Sequence, residues 1–117
     1  MTRRLPLLLA TASLALATAA CGSDAGGSST KLAPGDVIGM KQLKFDPAKV
    51  QVQVGQTVTW ENTESVPHDV KATDGAGFAS KTFGKGGRFS WKAATAGTVK
   101  YECTLHPGMD GTIEVVR

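Results

Sequence analysis

In Tyr101-Glu102-Cys103-Thr104-Leu105-His106-Pro107-Gly108-Met109-Asp110-Gly111, a thiol, an imidazole and a thioether recur at every third position. Soft sulfur and nitrogen donors at this density suit a transition-metal ion. Fully extended, the six steps from Cys103 to Met109 would span ~20 Å. One ion needs all its ligands close together, so the loop must fold back. His106-Pro107-Gly108-Met109 supplies the means. Pro at the second and Gly at the third position favour a type II turn, which keeps its outer Cα atoms within ~7 Å.

The chain holds one other histidine, His68, in Val66-Pro67-His68-Asp69-Val70. Two imidazoles, a thiolate and a weak axial methionine are the donors of a blue-copper electron-transfer site. Taken singly, each residue has a plainer reading. His68 alone is an ordinary surface or hydrogen-bonded histidine, Met109 a packing residue, and Pro107-Gly108 a turn. Cys103 alone is half of a disulfide with Cys21, the chain's other cysteine. A structural zinc site is a weaker rival, since it ordinarily uses more thiolates and no thioether.

The elements that would carry these donors read as strands. Residues Lys49–Val54 alternate polar and apolar, and Thr57–Asn62 alternate again after the Gly55-Gln56 turn. That period of two marks half-buried strands. Further strands are expected at Val37–Phe45, Asp69–Ala72, Arg88–Lys92, Thr98–Cys103 and Thr112–Val116, and no stretch sustains a helical period. Short strands separated by Gly, Pro, Asp and Asn predict an all-β sandwich or barrel. The span from Thr73 to Gly87 is irregular, and Phe78–Phe83 within it reads equally as a short strand or a helical turn.

Residues 1–20 combine Arg3 and Arg4 with an apolar stretch and small residues, as a secretory signal peptide does. Leu16-Ala17-Thr18-Ala19-Ala20-Cys21 resembles a bacterial lipobox, which predicts lipidation of Cys21 and would remove the Cys21–Cys103 disulfide. The Gly/Ser-rich run that follows reads as a flexible tether, so residues 21–35 form the lipidated cysteine and its linker, and 36–117 the folded domain. The formal net charge is +3, and without Arg3 and Arg4 the chain is nearly neutral. Nucleic-acid binding is not expected, since no Lys/Arg face is clustered enough to read it. The length excludes a two-domain enzyme.

Residues 36–117 resemble the cupredoxins, the type 1 blue copper proteins, in their amicyanin- and plastocyanin-like branch. The likeness rests on Cys103-Thr104-Leu105-His106-Pro107-Gly108-Met109, Phe45-Asp46-Pro47, Val54-Gly55-Gln56-Thr57-Val58-Thr59-Trp60 and Gly97-Thr98-Val99-Lys100-Tyr101-Glu102-Cys103. The resemblance implies a Greek-key β-sandwich with one copper ion at one end. Cys103, His68 and His106 would be equatorial ligands, with Met109 axial and Asp69 and Pro107 supporting them. His106 would present its edge as the electron port, through a patch of Leu105, Pro107 and Gly108. Relatives usually carry Asn at the position of Asp69, where it ties the ligand loops together. A carboxylate there should lower the potential, so Asp69→Asn should raise it.

The function expected is one-electron transfer by Cu(II)/Cu(I) cycling, on the extracytoplasmic side of a bacterial membrane. Its partners would be a redox protein donor and acceptor, met transiently by a monomer anchored in the membrane through Cys21. No enzyme activity is expected, since multicopper oxidases and copper nitrite reductases need further histidine-rich centres. The alternative is a copper-handling or metallochaperone lipoprotein, which would draw on additional exposed Met or His donors. Met40 is the one spare methionine after residue 20. A third reading is a β-sandwich interaction module without a metal.

Overall fold

The computed structural model describes residues 28–117, and the readings made on residues 1–20, on Cys21 and on the tether through Gly27 lie outside them. Where Val, Ile and Trp alternate with polar residues, the backbone is extended. The strands are β1 (Thr30–Lys31), β2 (Val37–Lys41), β3 (Lys44–Asp46), β4 (Lys49–Gln53), β5 (Thr57–Asn62), β6 (Lys71–Asp74), β7 (Arg88–Lys92), β8 (Gly97–Glu102) and β9 (Asp110–Val116). They form two mixed sheets, ordered β1-β4-β9-β8-β6 and β3-β2-β5-β7. This is an all-β sandwich, as the alternation requires.

The inward sides of the strands build the core. Ile38, Met40, Val50, Val52, Val58, Trp60, Val99, Tyr101, Ile113 and Val115 are all buried. Trp60 meets Tyr101 edge-on with ring centroids 5.2 Å apart, and Phe45 meets the same tyrosine at 4.7 Å. Edge-to-face contacts of this kind add roughly 0.5–1.5 kcal/mol each to area burial. Gly111 is required beneath that ring: a Cβ there would lie 2.3 Å from the Tyr101 hydroxyl. The aromatic layer therefore fixes how β8 and β9 pack, and these two strands carry the loop from Cys103 to Met109.

Several elements differ from expectation for identifiable reasons. Val37–Phe45 is not one strand but a hairpin, β2 paired with antiparallel β3. Its turn residues Gln42 and Leu43 both adopt positive φ, at 53° and 57°. No Gly or Asn announces this turn, and non-glycine residues seldom occupy that region unless something holds them there. Val54 falls beyond the end of β4 and is exposed rather than inward. The sheet also takes in residues read as tether, since Thr30–Lys31 pair in parallel with β4 and Leu32 is buried. Phe78–Phe83 is neither strand nor helical turn. It runs extended beside residues 68–72, through bridges His68↔Phe83 and Lys71↔Ala79.

Candidate metal centre

The loops leaving β5 and β8 meet at one pole of the sandwich. His68 follows β5, and Cys103 follows the last residue of β8 directly. His106-Pro107-Gly108-Met109 forms the expected turn: the Met109 N–H donates to the His106 carbonyl at 3.2 Å, and Gly108 has φ 79°, as the third position of a type II turn demands. The Cys103 N–H donates to the Met109 carbonyl at 2.9 Å, which closes the loop on itself.

This folding brings three donor atoms together. Cys103 Sγ lies 3.7 Å from His68 Nδ1 and 3.6 Å from His106 Nδ1, and the two Nδ1 atoms are 3.2 Å apart. A triangle with sides of 3.2, 3.6 and 3.7 Å has a circumradius of about 2.0 Å. That matches the ~2.0–2.1 Å of a zinc–imidazole bond and approaches the ~2.3 Å of a zinc–thiolate bond. The donors thus surround a point at bonding distance from all three, and the residues fit a transition ion of the copper or zinc kind. His68 and Cys103 are buried and His106 is half-buried, so the cluster opens to solvent mainly at His106. The Met109 side chain is buried, and its backbone is tied to Cys103 and His106.

Hydrogen bonds around the cluster set its chemistry. Glu64 Oε1 lies 2.6 Å from His68 Nε2. A carboxylate at that atom requires a proton on Nε2, so Nδ1, which faces Cys103, is the nitrogen left to bind a metal ion. The same carboxylate accepts the N–H groups of Gln42 at 2.8 Å and Leu43 at 3.2 Å, and so holds the left-handed turn of the β2–β3 hairpin. Burial pushes the Glu64 carboxyl up, but the bonds from His68, Leu43 and Gln42 and the attraction of His68 outweigh it and hold the group below its ordinary value of 4.5.

Asp69 joins the two ligand loops directly, accepting from the Thr104 N–H at 2.6 Å and from the Thr104 hydroxyl at 2.5 Å. Asn62, fully buried, donates to the Val66 and Phe83 carbonyls and accepts the Glu64 N–H. Leu105 is 47% exposed, and Pro107 and Gly108 are exposed beside it.

Sequence reasoning missed Glu64, Asn62 and two further exposed apolar residues on loops of this pole, Leu43 and Val66. Glu64 had a usable signal, a carboxylate four residues before a candidate ligand histidine, since ligating histidines are habitually held by a carboxylate or carbonyl. Nothing local marks Asn62.

Residues 36–116 match the family of copper-binding proteins of the plastocyanin/azurin type. The chain is 35% identical over 83 residues to amicyanin of Paracoccus denitrificans, covering 68% of this chain and 63% of that protein. It is 37% identical over 78 residues to amicyanin-alpha of Methylorubrum extorquens, covering 63% and 66%. The chain therefore spans about two thirds of the length of these curated relatives. Among solved structures, a Cu(I) amicyanin variant is similar with a TM-score of 0.64 and 32% identity, over 72% of this chain and 85% of that one.

Proposed function

Because the chain belongs to the copper-binding plastocyanin/azurin family, we propose that it is a one-electron carrier rather than an enzyme. The observation that carries this reading is the triangle of two imidazole nitrogens and one sulfur around a common point. Copper is the cofactor this donor set suits, and when bound it supplies the Cu(II)/Cu(I) couple. His68, Cys103 and His106 would hold it, and the buried Met109 would add a weak thioether donor. Glu64 keeps the His68 lone pair directed at the ion, and the Asp69–Thr104 bonds keep the loops of His68 and Cys103 in register. Donors pinned in this way need little rearrangement as the charge of the ion changes.

His106, half-buried between Leu105 and Pro107, is the port through which the electron passes. The burial of His68 and Cys103 supports a carrier over a copper-handling protein, which must release its ion. So does the full burial of Met40 in β2. The carrier works as a monomer between a donor and an acceptor protein. It sits on the extracytoplasmic side, exported by residues 1–20 and anchored by a lipid on Cys21. Titrating the full chain with Cu(II) should develop an intense visible thiolate-to-copper band, and Cys103→Ser should abolish it. A band of equal strength in that variant would remove the proposed site.

A further inference from the structure

From Gly75 through Tyr101 the chain carries no acidic residue, yet it holds Lys81, Lys85, Arg88, Lys92 and Lys100. A modest total charge therefore conceals an uneven distribution. Folding gathers three of these cations at one margin of the sandwich. Ala79, Ser80, Lys81, Phe83, Arg88 and Phe89 line a groove of about 370 Å³. Lys85 stands in the turn that joins its two walls, which is pinned where the Gly86 N–H donates to the Asn62 carbonyl at 2.7 Å. Arg88 is engaged by Glu61, its neighbour across the sheet, at 2.8 Å. Lys81 and Lys85 are exposed and, among the described residues, join no ion pair.

The groove's position gives that charge a use. The Phe83 N–H donates to the His68 carbonyl at 2.9 Å, and the Phe83 carbonyl accepts the His68 N–H at 3.1 Å. The cationic groove thus abuts the buried flank of the metal centre, while the rim at Leu105 and Pro107 is apolar. Since Phe83 of the groove and His68 of the metal centre are paired backbone to backbone, a protein large enough to cover both would meet the rim and the groove together. We propose that the groove receives a carboxylate-bearing segment of the redox partner protein, which orients that partner over His106. The proposal rests on the carrier reading above and names the partner's chemistry. An anionic bilayer would satisfy the same cations. It would, however, press lipid against the electron port, where no redox centre lies.

The test uses the full copper-loaded chain in its reduced form, mixed in stopped flow with an acidic single-haem cytochrome c at low ionic strength. Joint Lys81→Glu and Lys85→Glu substitution should slow oxidation by about tenfold, the lower end of electrostatic steering, and high salt should erase the difference. Lys92→Glu with Lys100→Glu makes the same change in net charge away from the groove and should slow the reaction far less. Oxidation by the uncharged small molecule benzoquinone should be equal in all three proteins. An unchanged cytochrome rate, or equal slowing by both pairs, overturns the groove. So does loss of binding to phosphatidylglycerol vesicles in the Lys81/Lys85 variant with the cytochrome rate unaltered. Failure of the carrier reading looks different: wild-type protein would then pass no electron to either oxidant.

Discussion

Replacing Glu64 by Gln removes one negative charge and leaves the side chain's shape intact. The amide still offers an oxygen to His68 Nε2, so the tautomer that frees Nδ1 is retained. One bond is lost, because the amide nitrogen would face the Gln42 N–H that Glu64 Oε2 now accepts. The 2.6 Å contact, the width of an imidazole and a metal bond of ~2 Å place the carboxylate roughly 6.5 Å from the ion. The extra positive charge of Cu(II) over Cu(I) then gains about 2.5 kcal/mol from Glu64 at an effective dielectric of 20, and about 0.6 kcal/mol at the value for water. The Glu64 side chain is 22% exposed, so the effect falls between these limits. With 59 mV for each tenfold change in a one-electron equilibrium, the midpoint potential should rise by about 25–110 mV. Voltammetry of the copper-loaded wild type and Glu64→Gln at pH 7 reads this directly, with the visible band as the check that ligation survives. A potential that falls, or stays within about 10 mV while the band is intact, would refute the view that this carboxylate favours the oxidised ion.

Two further outcomes follow from the same hydrogen bonds. The folded-state lowering of the Glu64 carboxyl means that its contribution to stability is complete above 4.5 and drains away as pH falls through the lower folded value. Denaturant unfolding of metal-free protein should therefore show a gap between wild type and Glu64→Gln that is constant near neutrality and closes below pH 4.5; a gap that widens in acid would contradict the sign. Asn62→Ala strands the Val66 carbonyl and the Glu64 N–H and takes one of its two donors from the Phe83 carbonyl, which keeps the His68 N–H; this should cost about 2–4 kcal/mol and lower the Tm by on the order of 10 °C or more. A fall under about 3 °C by calorimetry would mean that water or backbone adjustment replaces those bonds.

What could be read from the sequence divides along a physical line. Period-two alternation is set by which face of a strand meets the core, so β4, β5 and β7 were legible from their own residues. The His106–Met109 turn was legible because Pro and Gly restrict φ locally. The β2–β3 hairpin was not. Gln42 and Leu43 have no preference for positive φ, and the carboxylate that holds them there lies more than twenty residues away. The site divides in the same way. Its donors are rare residue types whose spacing betrays them, whereas Glu64 and Asn62 are ordinary residues whose roles exist only once β2, β5 and the segment before β7 are side by side. Asp69 lies between the two cases: its position beside His68 is plain in the sequence, but its grip on Thr104 depends on the loop after β8.

These long-range bonds explain why the donor triangle is formed by protein contacts alone. His68 is held from three directions: its side chain by Glu64, its backbone by Phe83, and its loop through Asn62. Cys103 is held by the Met109 carbonyl through its own N–H, and by Asp69 through Thr104. His106 alone among the three is half-exposed, on a turn whose Pro107 and Gly108 face solvent. Hydrogen bonds and packing are therefore concentrated on the buried side of the site, and its exposed side is at His106. An ion placed there would find two donors fixed by the fold and a third able to follow small changes in bond length. If the protein is the carrier proposed above, that division would suit electron exchange through His106, because the few atoms that would have to move are at the surface while the packed interior stays as it is.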